Sequence, residues 1–288
     1  MYKEGTCWLC GQFRPLTREH IPPRAAFNDS QVFLQSVSER SALVGRIEWE
    51  GKVEKGVTVR SLCAECNSKC GSMYGADFVQ FLRKIASQVE AVPEGQQMLV
   101  SGVSRPLSIV KAVAQSFVSA NGPSFVDKNP WLRKFLRNSR NQDWHPDARL
   151  YLFATNSRLS RRTGVAAFYT SSSRIVSVLA EFTFWPLGSV LSFKELRDPR
   201  LSPIHQWAKF DYKHGGLVDL SLTVNPVSTA YAVDFRSADE LARDMNQPPN
   251  PLTMDSDIAD EMTREVGRRS GAAGKLTFVS KDRPRIVP

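Results

Sequence analysis

Cys7-Trp8-Leu9-Cys10, then Leu16-Thr17-Arg18-Glu19-His20-Ile21-Pro22-Pro23, then Cys63-Ala64-Glu65-Cys66-Asn67 are the stretches on which the reading of this chain turns. All five cysteines lie within the first 70 residues, and four of them form two Cys-x-x-Cys pairs. Four thiolates spaced this way can surround one tetrahedral Zn²⁺, and Gly11 after the first pair suits a tight knuckle turn. Two disulfides are the competing arrangement. They are disfavoured because Met1-Tyr2-Lys3-Glu4 carries no apolar signal segment and cytosolic thiols stay reduced. A thioredoxin-like redox site is disfavoured as well, since it uses one pair at a strand–helix junction. Cys70, four residues beyond Cys66, reads as a spare buried thiol.

The whole chain has 288 residues and is 42% hydrophobic. At about 150 residues per domain this fits one large domain or two ordinary ones, and the hydrophobic share excludes wholesale disorder. No run approaches the roughly 18 apolar residues of a membrane span, so a soluble, cytoplasmic protein without a membrane partner is expected. The net charge is +9, and its placement matters more than its size. Residues 1–100 hold 12 basic and 11 acidic side chains, 101–236 hold 18 and 9, and 237–288 hold 8 and 9. An excess concentrated in mid-chain suggests a polyanionic partner, nucleic acid before an anionic membrane. A merely solubilising surface is the bland alternative.

A Glu-His pair in an extended segment between two cysteine knuckles, with Asn directly after the second knuckle, resembles the HNH endonuclease family. The resemblance covers about residues 5–75 and rests on the combined pattern CxxC, EHIPP and CxxCN. It implies a ββα-metal finger, in which a hairpin and a helix clasp one divalent ion, braced by structural zinc on Cys7, Cys10, Cys63 and Cys66. By the same resemblance His20 is the general base, while Glu19 and Asn67 hold a catalytic Mg²⁺ or Mn²⁺.

The residue chemistry agrees. Phosphodiester hydrolysis needs a base for the attacking water and a cation at the phosphate and leaving oxygen. An imidazole can accept a proton near neutrality, and carboxylate and amide oxygens are hard donors suited to Mg²⁺. Each residue also has a structural alternative. Glu19-His20 before Ile-Pro-Pro could be a surface turn with extended geometry, and Asn67 could cap a helix. Three features depart from the family pattern. Thr58 stands where many members carry a loop-tethering Asn, Asn67 stands where His is often found, and the span from His20 to Cys63 implies an insertion.

The expected fold class is α+β, an N-terminal finger followed by a mixed helix and antiparallel-sheet module. Its divisions are 1–92 for the finger and its following helix, 93–236 for a basic module, and 237–288 for a partly flexible tail. Alternation over Arg46–Glu50 and Val53–Arg60 around Gly51-Lys52 predicts an irregular hairpin. Apolar spacing at Phe78, Phe81, Leu82 and Ile85 predicts a helix over Ala76–Val89, with a break at Ala91–Gly95. A second helix is expected from Leu107 to Ala120 and a third after Asn129-Pro130, where Asn129 reads as its N-cap. Arg133, Arg137 and Arg140 fall on one face of that third helix, and Arg158, Arg161 and Arg162 read as a loop. Together they form a candidate phosphate-binding surface. Strands are expected at Leu150–Ala154, Gly164–Thr170, Ile175–Trp185, Gly216–Val224 and Thr229–Phe235, and a helix at Asp257–Arg268.

The functional expectation is one-metal hydrolysis of nucleic acid, double-stranded DNA ahead of RNA, with both strands cut through dimerisation or two sequential nicks; a homodimer or a partner protein is among the expected partners. Phage defence, restriction and mobile-element roles all accommodate such a finger. Two rivals stand beside it: a non-catalytic zinc-ribbon DNA-binding or adaptor protein, and a sensor protein with the finger as effector.

Overall fold

Each cysteine pair sits where the chain reverses or starts a helix. The first lies in the turn between β1 (Lys3–Thr6) and β2 (Phe13–Leu16), which pair antiparallel. Gly11, at φ 75°, closes that knuckle through its N–H to the Cys7 carbonyl at 2.8 Å. The second lies at the start of α1 (Ala64–Cys70), with Cys63 as its N-cap. Backbone bonds from Trp8 N to Ser61 O and from Thr17 N to Leu62 O, both 2.9 Å, bring the two knuckles together. The computed structural model describes residues 3–37, 48–170, 175–213, 216–228, 232–235, 239, 243, 264–269 and 276–280.

The helix starting at the second knuckle does not stop where its sequence breaks. After α1 a π-helical segment, Gly71–Gly75, leads directly into α2 (Ala76–Val89), so one helical rod runs from Ala64 to Val89. Phe78, Phe81, Leu82 and Ile85 of α2 are buried, as their spacing predicts. β7 (Gln97–Val103) follows the expected break and pairs with β13 (Val218–Thr223). Then comes α3 (Pro106–Asn121), which is buried nearly all round and forms the centre of the molecule. A helix apolar on every side has no solvent face to offer, so it must be the core.

Lys111 is the one charged residue on α3. Its ammonium is fully buried, donates to the carbonyls of Phe135, Asn138 and Asn141, and lies 3.6 Å from the Phe135 ring centroid. Those carbonyls belong to α5 (Trp131–Arg137) and the residues just after it, a helix end that lacks intrahelical donors. Burial draws the Lys111 pKa down to about 7, while the three acceptors hold the charged form in place.

The rest is mixed helix and antiparallel sheet, α+β overall. α4 (Pro123–Lys128) and α5 complete the helical layer. The main sheet has the order β12-β8-β11-β10-β9-β14-β4-β5. In chain order it contains β4 (Val32–Val37), β5 (Glu48–Val53), β8 (Arg149–Ala154), β9 (Leu159–Thr170), β10 (Ile175–Phe184), β11 (Leu187–Ser192), β12 (Ser202–Pro203) and β14 (Leu276–Ser280). The buried cluster reaches from Cys7 to Val224, so the cysteine-bearing N-terminal segment shares its core with the helices and sheet that follow. Among the described residues no helix is long and apolar enough to cross a membrane.

Several sequence expectations are corrected. Gly51-Lys52 is not a hairpin turn: both lie inside β5 and pair with Leu34 and Phe33 of β4. A register shift beside Gly51 marks a bulge, the usual place for a strand glycine. The chain turns instead at Gly56 (φ 80°), where a Cβ would fall 2.1 Å from the Asn28 carbonyl, so glycine is required. β6 (Thr58–Val59) then pairs with β3 (Glu19–His20). Asn129 does not cap α5; its side chain donates back to Phe125 O of α4 at 2.8 Å. Arg161 and Arg162 are in β9 rather than a loop, and Arg161 is fully buried against Glu181 with Nε–Oε1 2.6 Å. Residues 232–233 form a turn and 234–235 are irregular, so neither is a strand, while 229–231 lie outside the described residues. Of the expected C-terminal helix, 264–268 are helical within a helix that runs to 269, and 257–263 lie outside the described residues.

Candidate active site

The Sγ atoms of Cys7, Cys10, Cys63 and Cys66 all lie within 4.8 Å of one another, and all are free thiols. A tetrahedron with Zn–S near 2.3 Å has S–S edges of about 3.8 Å, and the Cys10–Cys63 separation is 4.0 Å. The crowding already favours a thiolate. The Cys7 sulfur accepts from the Cys66 thiol and from the Cys63 backbone N–H at 3.3 Å, which pulls its pKa down to about 4. These four cysteines are positioned to bind one metal ion, consistent with structural zinc. Cys70 stays outside the cluster; it is buried, and burial pushes its thiol up to about 12. It is an inert core thiol.

Beside this cluster a cleft of about 580 Å³ opens between the β3 loop, the helical rod and α3. Glu19, His20 and Asn67 all line it, so the three residues singled out in the sequence share one cavity. The strand end allows this: Glu19 and His20 are the whole of β3, opposite Val59 and Thr58.

Glu19 is only 6% exposed and is held by three donors. Ser61 and Ser119 hydroxyls donate to Oε2 at 2.6 and 2.7 Å, and the Gln115 amide donates to Oε1. Burial raises the Glu19 pKa, and these three bonds oppose that rise. A carboxylate offers about four acceptor positions, so one, on Oε1, stays open. Gln115 and Ser119 come from α3, about a hundred residues along the chain, and no local pattern announces them.

His20 Nε2 lies 3.0 Å from the Lys55 carbonyl. A carbonyl only accepts, so Nε2 carries the hydrogen and Nδ1 of the neutral ring is left as the proton acceptor. Asn67 is oriented by a similar chain of logic. The Thr17 hydroxyl donates to Leu62 O at 3.0 Å, so it can only accept from Asn67 Nδ2, also at 3.0 Å. That turns the amide oxygen of Asn67 into the remaining donor atom for a ligand. Asn67 sits one turn inside α1 and its side chain does not cap the helix.

The loop after His20 is tethered by Asn28, which the sequence reading missed. Asn28 is fully buried. Its Nδ2 donates to Pro22 O (2.8 Å) and Val57 O (3.0 Å), and its Oδ1 accepts from Val57 N at 2.7 Å. It ties the turn after His20 to the strand that faces it. Asn28→Ala should lower stability by about 2–3 kcal/mol, because buried backbone groups lose their partners, and urea melts will measure it. A loss below about 0.5 kcal/mol would contradict the tether.

The arginines named from the sequence fare differently. α5 ends at Arg137, so Arg140 lies beyond the helix rather than on its face. Arg133 is engaged within the chain, by Asp127 at 2.6 Å and the Trp8 carbonyl. Arg137 lines a small hollow with Arg14 and Lys69 beside the cysteines. Arg18, Arg24 and Arg83 line the main cleft, and none of them has an acidic partner among the described residues. No protein-family model, curated protein or solved structure matches this chain.

Proposed function

We propose that this chain is a metal-dependent endonuclease of the HNH type that hydrolyses phosphodiester bonds in DNA. One observation carries the reading: a histidine whose Nδ1 is left as acceptor shares a cleft with one carboxylate oxygen and one amide oxygen. His20 Nδ1 takes a proton from a water molecule, the hydroxide attacks phosphorus, and the P–O3′ bond breaks. The Lys55 carbonyl keeps the ring aimed while Nδ1 gains its proton. Glu19 and Asn67 would hold Mg²⁺ or Mn²⁺, since both offer hard oxygen atoms and leave room for water and phosphate oxygens. Such an ion, when bound, supplies charge stabilisation at the phosphate and leaving oxygen. The cysteine centre takes no part in the chemistry and braces the knuckles that carry β3 and α1. One such site cuts one strand.

The test is supercoiled plasmid incubated with the protein and Mg²⁺ or Mn²⁺. Relaxed circles should accumulate before linear DNA. Glu19→Gln and Asn67→Ala should each raise the Mg²⁺ concentration needed for half-maximal rate by at least about tenfold, the lower bound for disturbing even an outer-sphere partner. If no divalent ion brings about cleavage, the protein is a zinc-braced binding module. If RNA is cut and DNA is not, the substrate is wrong.

A further inference from the structure

Two glycines on the cleft wall have no explanation among the described residues. Gly71 and Gly75 bound the π-helical segment, four residues apart, and both line the cleft. Their φ angles, −58° and −63°, are those of any helical residue. A Cβ built on either would meet nothing within 4 Å among the described residues, apart from the helix's own backbone. Neither backbone strain nor a neighbour requires glycine here, yet glycine weakens a helix. The remaining physical reason for bare backbone is the close approach of something from outside. π-helical turns concentrate at functional sites for related reasons.

What approaches is indicated by the charges around it. Arg83 lies two turns beyond Gly75 on the same rod, and Arg18 and Arg24 flank His20 on the opposite wall. All three are exposed, and none has an ion-pair partner among the described residues. The aromatic residues of the cleft, Tyr74 and Phe78, are buried, so its described lining offers no platform on which unpaired bases could stack. Guanidinium groups pair well with phosphate oxygens, and without an exposed aromatic nothing here favours unstacked bases over the duplex backbone.

We infer that the cleft is a channel for the backbone of duplex DNA. Arg18, Arg24 and Arg83 hold phosphates, and Gly71 and Gly75 let the sugar–phosphate chain lie against the helix. This rests on the nuclease reading for what happens at His20, but its binding test needs no cleavage. Anisotropy of a fluorescein-labelled duplex is measured against salt with no divalent ion added. Arg18→Gln, Arg24→Gln and Arg83→Gln should each lower the log–log salt slope by about 0.9. Gly71→Ala with Gly75→Ala should raise the melting temperature by roughly 2–4 °C, yet weaken duplex binding by about tenfold. A merely structural role predicts that stability and binding move together.

Unchanged slopes, or a double-alanine protein that binds as tightly as wild type, would overturn the channel even if plasmid is still cut. Tighter binding of a single-stranded oligonucleotide than of the duplex would overturn it too. If slopes fall as expected but no divalent ion supports cleavage, the channel stands and the nuclease reading fails.

Discussion

Cys63→Ser should leave the protein without zinc and largely unfolded over its first 75 residues. Metal analysis of the wild type should find about one equivalent of zinc, the number that one tetrahedral centre of four thiolates takes. Structural zinc contributes about 10–16 kcal/mol of apparent free energy in small finger peptides, against a total stability of about 5–15 kcal/mol for an ordinary domain. The hydrogen bonds that join the knuckles without it are individually weak: Trp8 N to Ser61 O, Thr17 N and hydroxyl to Leu62 O, Asn67 to the Thr17 hydroxyl, Arg60 to Leu16 O and the exposed Arg14–Glu65 pair. Each such bond is worth about 1 kcal/mol net, too little to replace the metal. Because the buried cluster is continuous from Cys7 into the later helices and sheet, the melting transition of the whole chain should shift as well. A wild-type preparation free of zinc, or a Cys63→Ser protein that melts with the wild type, would refute the staple.

The second large effect belongs to His20. Its replacement by Ala should cut the cleavage rate by about 10²–10⁴, the usual contribution of a positioned general base. Zinc content and duplex affinity should stay near wild type, because the His20 ring bonds to the Lys55 carbonyl and not to the cysteines or the arginines. That separation distinguishes it from Cys63→Ser, which should lose fold, metal and activity together. A His20→Ala protein cutting DNA at the wild-type rate would remove His20 from the chemistry and return the finger to a purely structural role.

Some of this was written in the sequence and some was not, for physical reasons. The knuckles were legible because metal ligation fixes residue type and spacing locally. Helices α2 and α3 and the strands at 150–154, 164–170 and 175–184 were legible because burial imposes a period, whereas β11, buried along its whole length, shows no period and went unread. Arg161 was misread as a loop cation because its compensation, Glu181, lies across a strand pairing that spacing does not reveal. The Gly51-Lys52 turn was misread for the same reason: β4 had to be known as the partner before glycine could be read as a bulge. The candidate site divides along this line as well. Glu19, His20 and Asn67 stand in a short motif, whereas Asn28, Gln115 and Ser119 act on it from segments that share no pattern with it.

The unbroken rod from Ala64 to Val89 has a mechanical consequence. It carries, in order, Cys66 of the four-cysteine cluster, the amide Asn67, the two bare glycines and Arg83. Each residue of an α-helix advances the azimuth by about 100° and the axis by about 1.5 Å, so anchoring one turn fixes the angular phase of all those that follow. The cysteine centre is thus a protractor for the cleft as well as a clasp. Slipping one residue into the rod after Cys66 would leave four sulfurs in place and swing the glycine face and Arg83 by more than a quarter turn.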